Sequence, residues 1–84
     1  MLRITTKTTK KGSTLKVEGK IQGEGVRVLR DECRPYVESA ARLAVDLSSV
    51  TFVDRDGIRL LRQLADSRVH LIHCSALIAE LCKR

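Results

Sequence analysis

Apolar and polar residues alternate twice near the start of the chain. Leu2, Ile4, Thr6 and Thr8 interleave with Arg3, Thr5, Lys7 and Thr9, and Leu15, Val17, Gly19 and Ile21 interleave with Lys16, Glu18 and Lys20. Period two is the mark of a strand with one wet face. "KKGS" at 10–13 is a turn signal between the two, so the simplest pairing is an antiparallel hairpin. "QGEG" then breaks the pattern, and Val26, Leu29, Cys33, Val37 and Ala40 or Ala41 follow at helical spacing. Pro35 lies inside this helix of about 25–40, and its missing amide and bulky ring predict a kink there, or an early end and a restart. "RLAVDLS" at 42–48 is nearly continuous in apolar and branched residues, as expected of a central strand covered on both faces. Ile58, Leu61, Leu64 and Ala65 mark a second amphipathic helix, "VHLIHC" at 69–74 another strand, and "SALIAELCKR" a last helix capped by Ser75. The order ββαβαβα predicts a small α/β fold, a mixed β-sheet with helices packed on it, its parallel neighbours joined by right-handed crossovers.

With 84 residues, the chain is expected to form a single domain over 1–84, and a chain of this size buries only about 60% of its unfolded surface. No apolar run approaches the roughly 20 residues of a membrane span, and "MLRITTKTTKK" lacks the apolar core of a signal peptide. A cytoplasmic location is expected. Cys33, Cys74 and Cys82, odd in number and irregularly spaced, match neither a secreted disulfide framework nor a paired-thiolate zinc site, and are expected as reduced, small hydrophobes. The net charge of +6 raises nucleic acid or an acidic protein as partner. Tyr36 and Phe52 are the only aromatic residues, so there is no platform on which bases could stack, and nucleic acid is the less favoured partner.

"FVDRDGIRLL" at 52–61 places two aspartates around an arginine, then a glycine. Asp54 as N-cap can accept from the amides of Asp56 or Gly57, with Val53 and Ile58 placed as a hydrophobic staple. Asp56 then falls in the first turn, where the helix dipole stabilises an acid by about 0.3 to 1 kcal/mol. Gly57 costs roughly 0.5 to 1 kcal/mol against alanine inside a helix, which implies that something approaches the backbone closely there. A catalytic pair would need a pocket and a raised pKa, and a solvated first turn supplies neither. No metal site is expected: His70 and His73 lie three apart on the far strand, pointing to opposite faces. No phosphate loop appears, and no cofactor is expected. Arg55, Arg59 and Arg62 recur at i, i+4 and i+7, a basic stripe that is either a solvated helix face or the complement of an acidic partner.

The stretch "LAVDLSSVTFVDRDGIRLLRQL" resembles the signature of the STAS domain, named for sulfate transporters and anti-sigma factor antagonists: an apolar strand ending Asp-Leu-Ser, a short connection, then Asp-Ser-Ser-Gly opening a helix. The resemblance extends to "LKVEGKI" and to "VHLIHCSALIAEL". It implies a bacterial module without catalytic activity that docks on a partner through the loop and helix at 54–65, with Asp54, Arg55, Asp56, Gly57, Arg59 and Arg62 as the binding residues. In the anti-sigma antagonists of that family, the serine before the glycine is phosphorylated by the anti-sigma factor, a kinase of the ATPase fold. Here that position is Asp56, and Arg55 replaces the first serine. Ser48 and Ser49, at the end of the central strand, are alternative phosphosites or simply turn residues. The remaining readings are a scaffold subunit not regulated by phosphorylation and a basic nucleic-acid module. The family commonly continues past the third helix, whereas this chain stops at "ELCKR"; the module is short by nature, trimmed, or completed by a second copy or a partner.

Overall fold

The structure, a computed structural model, describes residues 2–82. Strand β1 (Leu2–Thr9) turns through Lys10 and Lys11 into β2 (Gly12–Ile21), followed by α1 (Glu24–Glu38), β3 (Leu43–Val53), α2 (Arg55–Asp66), β4 (His70–Ile72) and α3 (Ala76–Cys82). This is the expected order. The sheet runs β1-β2-β3-β4, with β1 antiparallel to β2 and the other two pairs parallel.

The core forms on one face of the sheet only. Leu15, Val17 and Ile21 from β2 and Leu43, Val45 and Leu47 from β3 pack with Val26, Leu29 and Cys33 of α1, Leu60, Leu61 and Leu64 of α2, and Ile78 of α3. Lys16 and Asp46 sit opposite one another between these core positions, on the open face of the pleat. The expectation of a central strand covered on both faces is therefore corrected: what reads as a continuous apolar run is a period-two strand whose outward positions are Ala44, Asp46 and Ser48. The strand also continues to Val53, beyond the expected 42–48. Two register shifts, between Lys16 and Glu18 and between Gly19 and Lys20, each give β3 an extra residue against β2 and break the alternation after Leu47.

Two further boundaries differ. Helix α1 is a single element through Pro35, with no restart, because the proline removes one amide at an exposed position close to the helix end. Strand β4 has three residues rather than six, bracketed by Arg68 and His73, whose φ values of 69° and 57° are left-handed and interrupt an extended ladder. Helix α3 begins as expected, the Ser75 hydroxyl accepting from the amide of Ile78 at 3.2 Å. Residues 83 and 84 of the expected last helix, and the side chain of Cys82, lie outside the described residues. Cys33 and Cys74 are free thiols. No helix among the described residues is long and apolar enough to cross a membrane.

What positions α2 is a joint at the carboxyl end of the parallel strands. The Asp54 carboxylate accepts from the Gly57 amide at 2.7 Å through Oδ1 and from the Gly23 amide at 3.0 Å through Oδ2, while its own amide donates to the Ile21 carbonyl at 3.0 Å. One aspartate thus caps α2 and ties down the loop that opens α1, whose Gly23 N-cap has no side-chain acceptor of its own. Beneath it Gly57 is buried. A Cβ there would lie 2.6 Å from Val53 Cγ1 and 2.9 Å from the Ile21 carbonyl oxygen, so the close approach inferred from this glycine is made by the protein's own strands.

Three outcomes are expected. Asp54→Ala should lower unfolding stability by about 1 to 3 kcal/mol in urea titrations, since two backbone amides lose a charged acceptor. Gly57→Ala, which in an exposed helix would stabilise, should instead destabilise by about 1 to 3 kcal/mol through overpacking. Burial, with a smaller contribution from Glu32, pushes the Cys33 thiol from 9.0 up to about 11. A raised folded pKa means that the native state holds the proton more tightly, so this contribution to stability is full below pH 9.0 and is lost as pH rises through about 11. Native Cys33 should therefore resist iodoacetamide at pH 8 and react on unfolding, as read by mass spectrometry.

Candidate functional site

Helix α2 starts where it does because Asp54 is extended and caps it, and because Leu60, Leu61 and Leu64 must face the sheet. That orientation dictates what faces outward. Val53, Asp54, Arg55, Ile58, Arg59 and Arg62 line one open groove along the helix surface. Arg55 and Arg59 are exposed and Arg62 is half-buried, so the arginines spaced along the sequence are gathered on one side. Val53 and Ile58, half-buried, form an apolar floor between them.

The other expected residues take different places. Asp54 is half-buried and engaged with backbone amides, which makes it a structural group within the groove wall. Gly57 is buried under the first turn and acts by letting the helix sit close to β2. Asp56 is exposed in that same turn but does not line the groove. Among the described residues no ion pair joins Asp56 to Arg55 or Arg59. Its charge is left to solvent, strengthened in place only by the helix N-terminus.

Ser48 and Ser49 are not in a turn. They lie inside β3, at the first register shift, with Ser48 exposed and Ser49 half-buried. The Ser48 amide donates to Asp46 Oδ1 at 2.9 Å, and this bond is the main reason the Asp46 carboxyl is held below its ordinary range. His70 is exposed on β4, and His73 lies beyond the strand, so the opposite-face argument applies to a strand that has already ended. Sequence reasoning missed two features. Phe52, paired with Lys20, is 47% exposed beside the start of α2, an unusual place for one of two aromatic rings. The Asp54 to Gly23 contact was also missed, since no short-range pattern announces a bond across 31 positions.

The arrangement is an open surface with three guanidinium groups, an apolar floor and a neighbouring carboxylate. Guanidinium groups on such a surface are donors whose geometry matches carboxylate and phosphate oxygens.

The fold and this geometry can be set beside known proteins. No curated protein sequence matches the chain. Among solved structures, the chain is similar to the anti-sigma factor antagonist SpoIIAA in its unphosphorylated form, with a TM-score of 0.77 at 12% identity over 94% of this chain and 80% of that one. The likeness is one of fold. The family model described as "Mlab, STAS domain" matches residues 4–82, nearly the whole length, and the chain belongs to the STAS domain family.

Proposed function

We propose that this protein is a non-catalytic interaction module of the anti-sigma antagonist type, acting in the bacterial cytoplasm and docking an ATPase-fold anti-sigma factor or related kinase through 54–65. The single observation that carries this reading is the gathering of Arg55, Arg59 and Arg62 around Val53 and Ile58, on the helix opened by the family's signature. An acidic surface on the partner is the complement, steered by a chain of net charge +6. Gly57 supports the surface from beneath, and Asp54 fixes its angle. STAS domains are in general binding modules, and the open groove is in keeping with that role.

Asp56 favours a second reading within the same class. It has no hydroxyl for a serine kinase to modify, and its single charge is well short of the roughly −1.5 to −2 of a phosphoserine. A scaffold subunit that stays docked, rather than one cycled by phosphate, fits such a residue. Ser48 and Ser49 are the substitute phosphosites if a switch exists at all.

The test is to mix the protein with ATPase-fold anti-sigma factors from the same genome, with and without ATP, and to read complex formation and phosphate transfer together. A complex that forms at moderate salt and is unaffected by ATP is expected. The double reversal Arg59→Glu with Arg62→Glu should weaken it by about tenfold or more. Asp56→Ser should restore ATP-driven release if the partner is a kinase. Unchanged affinity in the double reversal removes α2 as the docking surface, and steeply salt-dependent binding to oligonucleotides would favour the nucleic-acid reading.

A further inference from the structure

The end of the sheet opposite α2's start carries three further cations, with a histidine beside them, that the docking surface does not use. Lys11 of the hairpin, Arg42 before β3, Arg68 after α2 and His70 of β4 are far apart in sequence, and the topology brings them to one pole. Two adjoining grooves open there. One runs between the hairpin and the starts of β3 and β4, and the other, of about 420 Å³, lies between Tyr36, Ser67 and Arg68; Arg42 and His70 line both. No aspartate or glutamate lines either groove. Among the described residues, Lys11, Arg42 and Arg68 enter no ion pair.

Two details of backbone fix where these arginines leave the chain. Gly12, at φ 144°, leaves room for Arg42: a Cβ on Gly12 would lie 2.7 Å from Arg42 Cβ, and the Ser13 amide donates to the Arg42 carbonyl at 3.0 Å. Arg68 occupies the left-handed position just past α2, at φ 69°, and Val69 closes the helix end by donating to Leu64 at 2.9 Å. Glycine is the residue that holds this position without strain. An arginine there costs stability relative to glycine. Cations near the ends of α1 and α2 do relieve the helix dipoles, but that does not account for Lys11 on the hairpin.

We propose that Lys11, Arg42, Arg68 and His70 form an anion site for a small phosphorylated molecule, independent of the docking surface. The guanidinium groups supply paired donors to phosphate oxygens, and the hydroxyls of Tyr36, Ser67 and Ser13 at the groove walls add neutral ones. The groove at Tyr36, Ser67 and Arg68, of about 420 Å³, falls within the range of small-ligand sites, and the adjoining one at Lys11, of about 160 Å³, is smaller.

Pyrophosphate titrated into the full chain, followed by amide chemical shifts at constant ionic strength, is the test. Saturable shifts confined to 11–13, 40–43 and 67–70 are expected, with Arg42→Gln weakening binding by about tenfold or more. Arg68→Gly should raise the melting temperature while weakening pyrophosphate binding, a pairing that a purely structural arginine would not give. Shifts centred on Arg55 and Arg59, shifts reproduced equally by chloride, or an Arg68→Gly variant that binds unchanged would each overturn the assignment. Association with phosphatidylglycerol vesicles in the absence of saturable pyrophosphate binding would replace the small ligand with a lipid surface and overturn it too.

Discussion

The structure depends on one carboxylate. Asp54 sits where β3 gives way to α2, and each of its oxygens takes an amide from a different loop, one at the start of α2 and one at the start of α1. Both helices must leave the sheet from the same edge, since β2 and β3 are parallel, and both present unpaired amides there. A single acceptor between them meets both demands at once. Helix α1, whose N-cap Gly23 has no side-chain cap of its own, borrows from its neighbour, and the two helix starts are joined through one residue.

The two ends of the parallel strands consequently have different characters. At the carboxyl end the backbone is tied by Asp54, and Arg55, Arg59 and Arg62 of α2 line the groove beside it. At the amino end both helices close with left-handed residues, Ala40 and Arg68, whose following amides reach back to Tyr36 and Leu64. The first end carries the signature loop that opens α2. The second owes nothing to that loop, and its cations, Lys11, Arg42 and Arg68, come from three separate connections.

Much of the fold was legible in the sequence because it is written in local periodicity. The alternation in 2–9 and 15–21, the helical spacing of Val26, Leu29 and Cys33, and the caps at Asp54 and Ser75 are each settled within a few residues of chain. What failed was of longer range. The end of β3 was hidden because register shifts against β2 erase period two after Leu47. Strand β4 was overdrawn because left-handed backbone at non-glycine residues such as Arg68 and His73 has no reliable sequence mark. Gly57 was recognised as a place of close approach, but its neighbour is Ile21, in another element, and only the packed structure names it. For the same reason Lys11, Arg42 and Arg68 read as scattered surface charge until the strands align them.

The packing under Gly57 has a mechanical corollary. With the Ile21 carbonyl and the Val53 methyl already in contact distance of that residue, the first turn of α2 rests on incompressible material. A protein pressing on this turn meets a fixed seat, and complementarity has to come from the visitor's side chains or from swinging arginine stems. A surface on such a seat is preorganised, so that a contact made there would cost the host little ordering entropy.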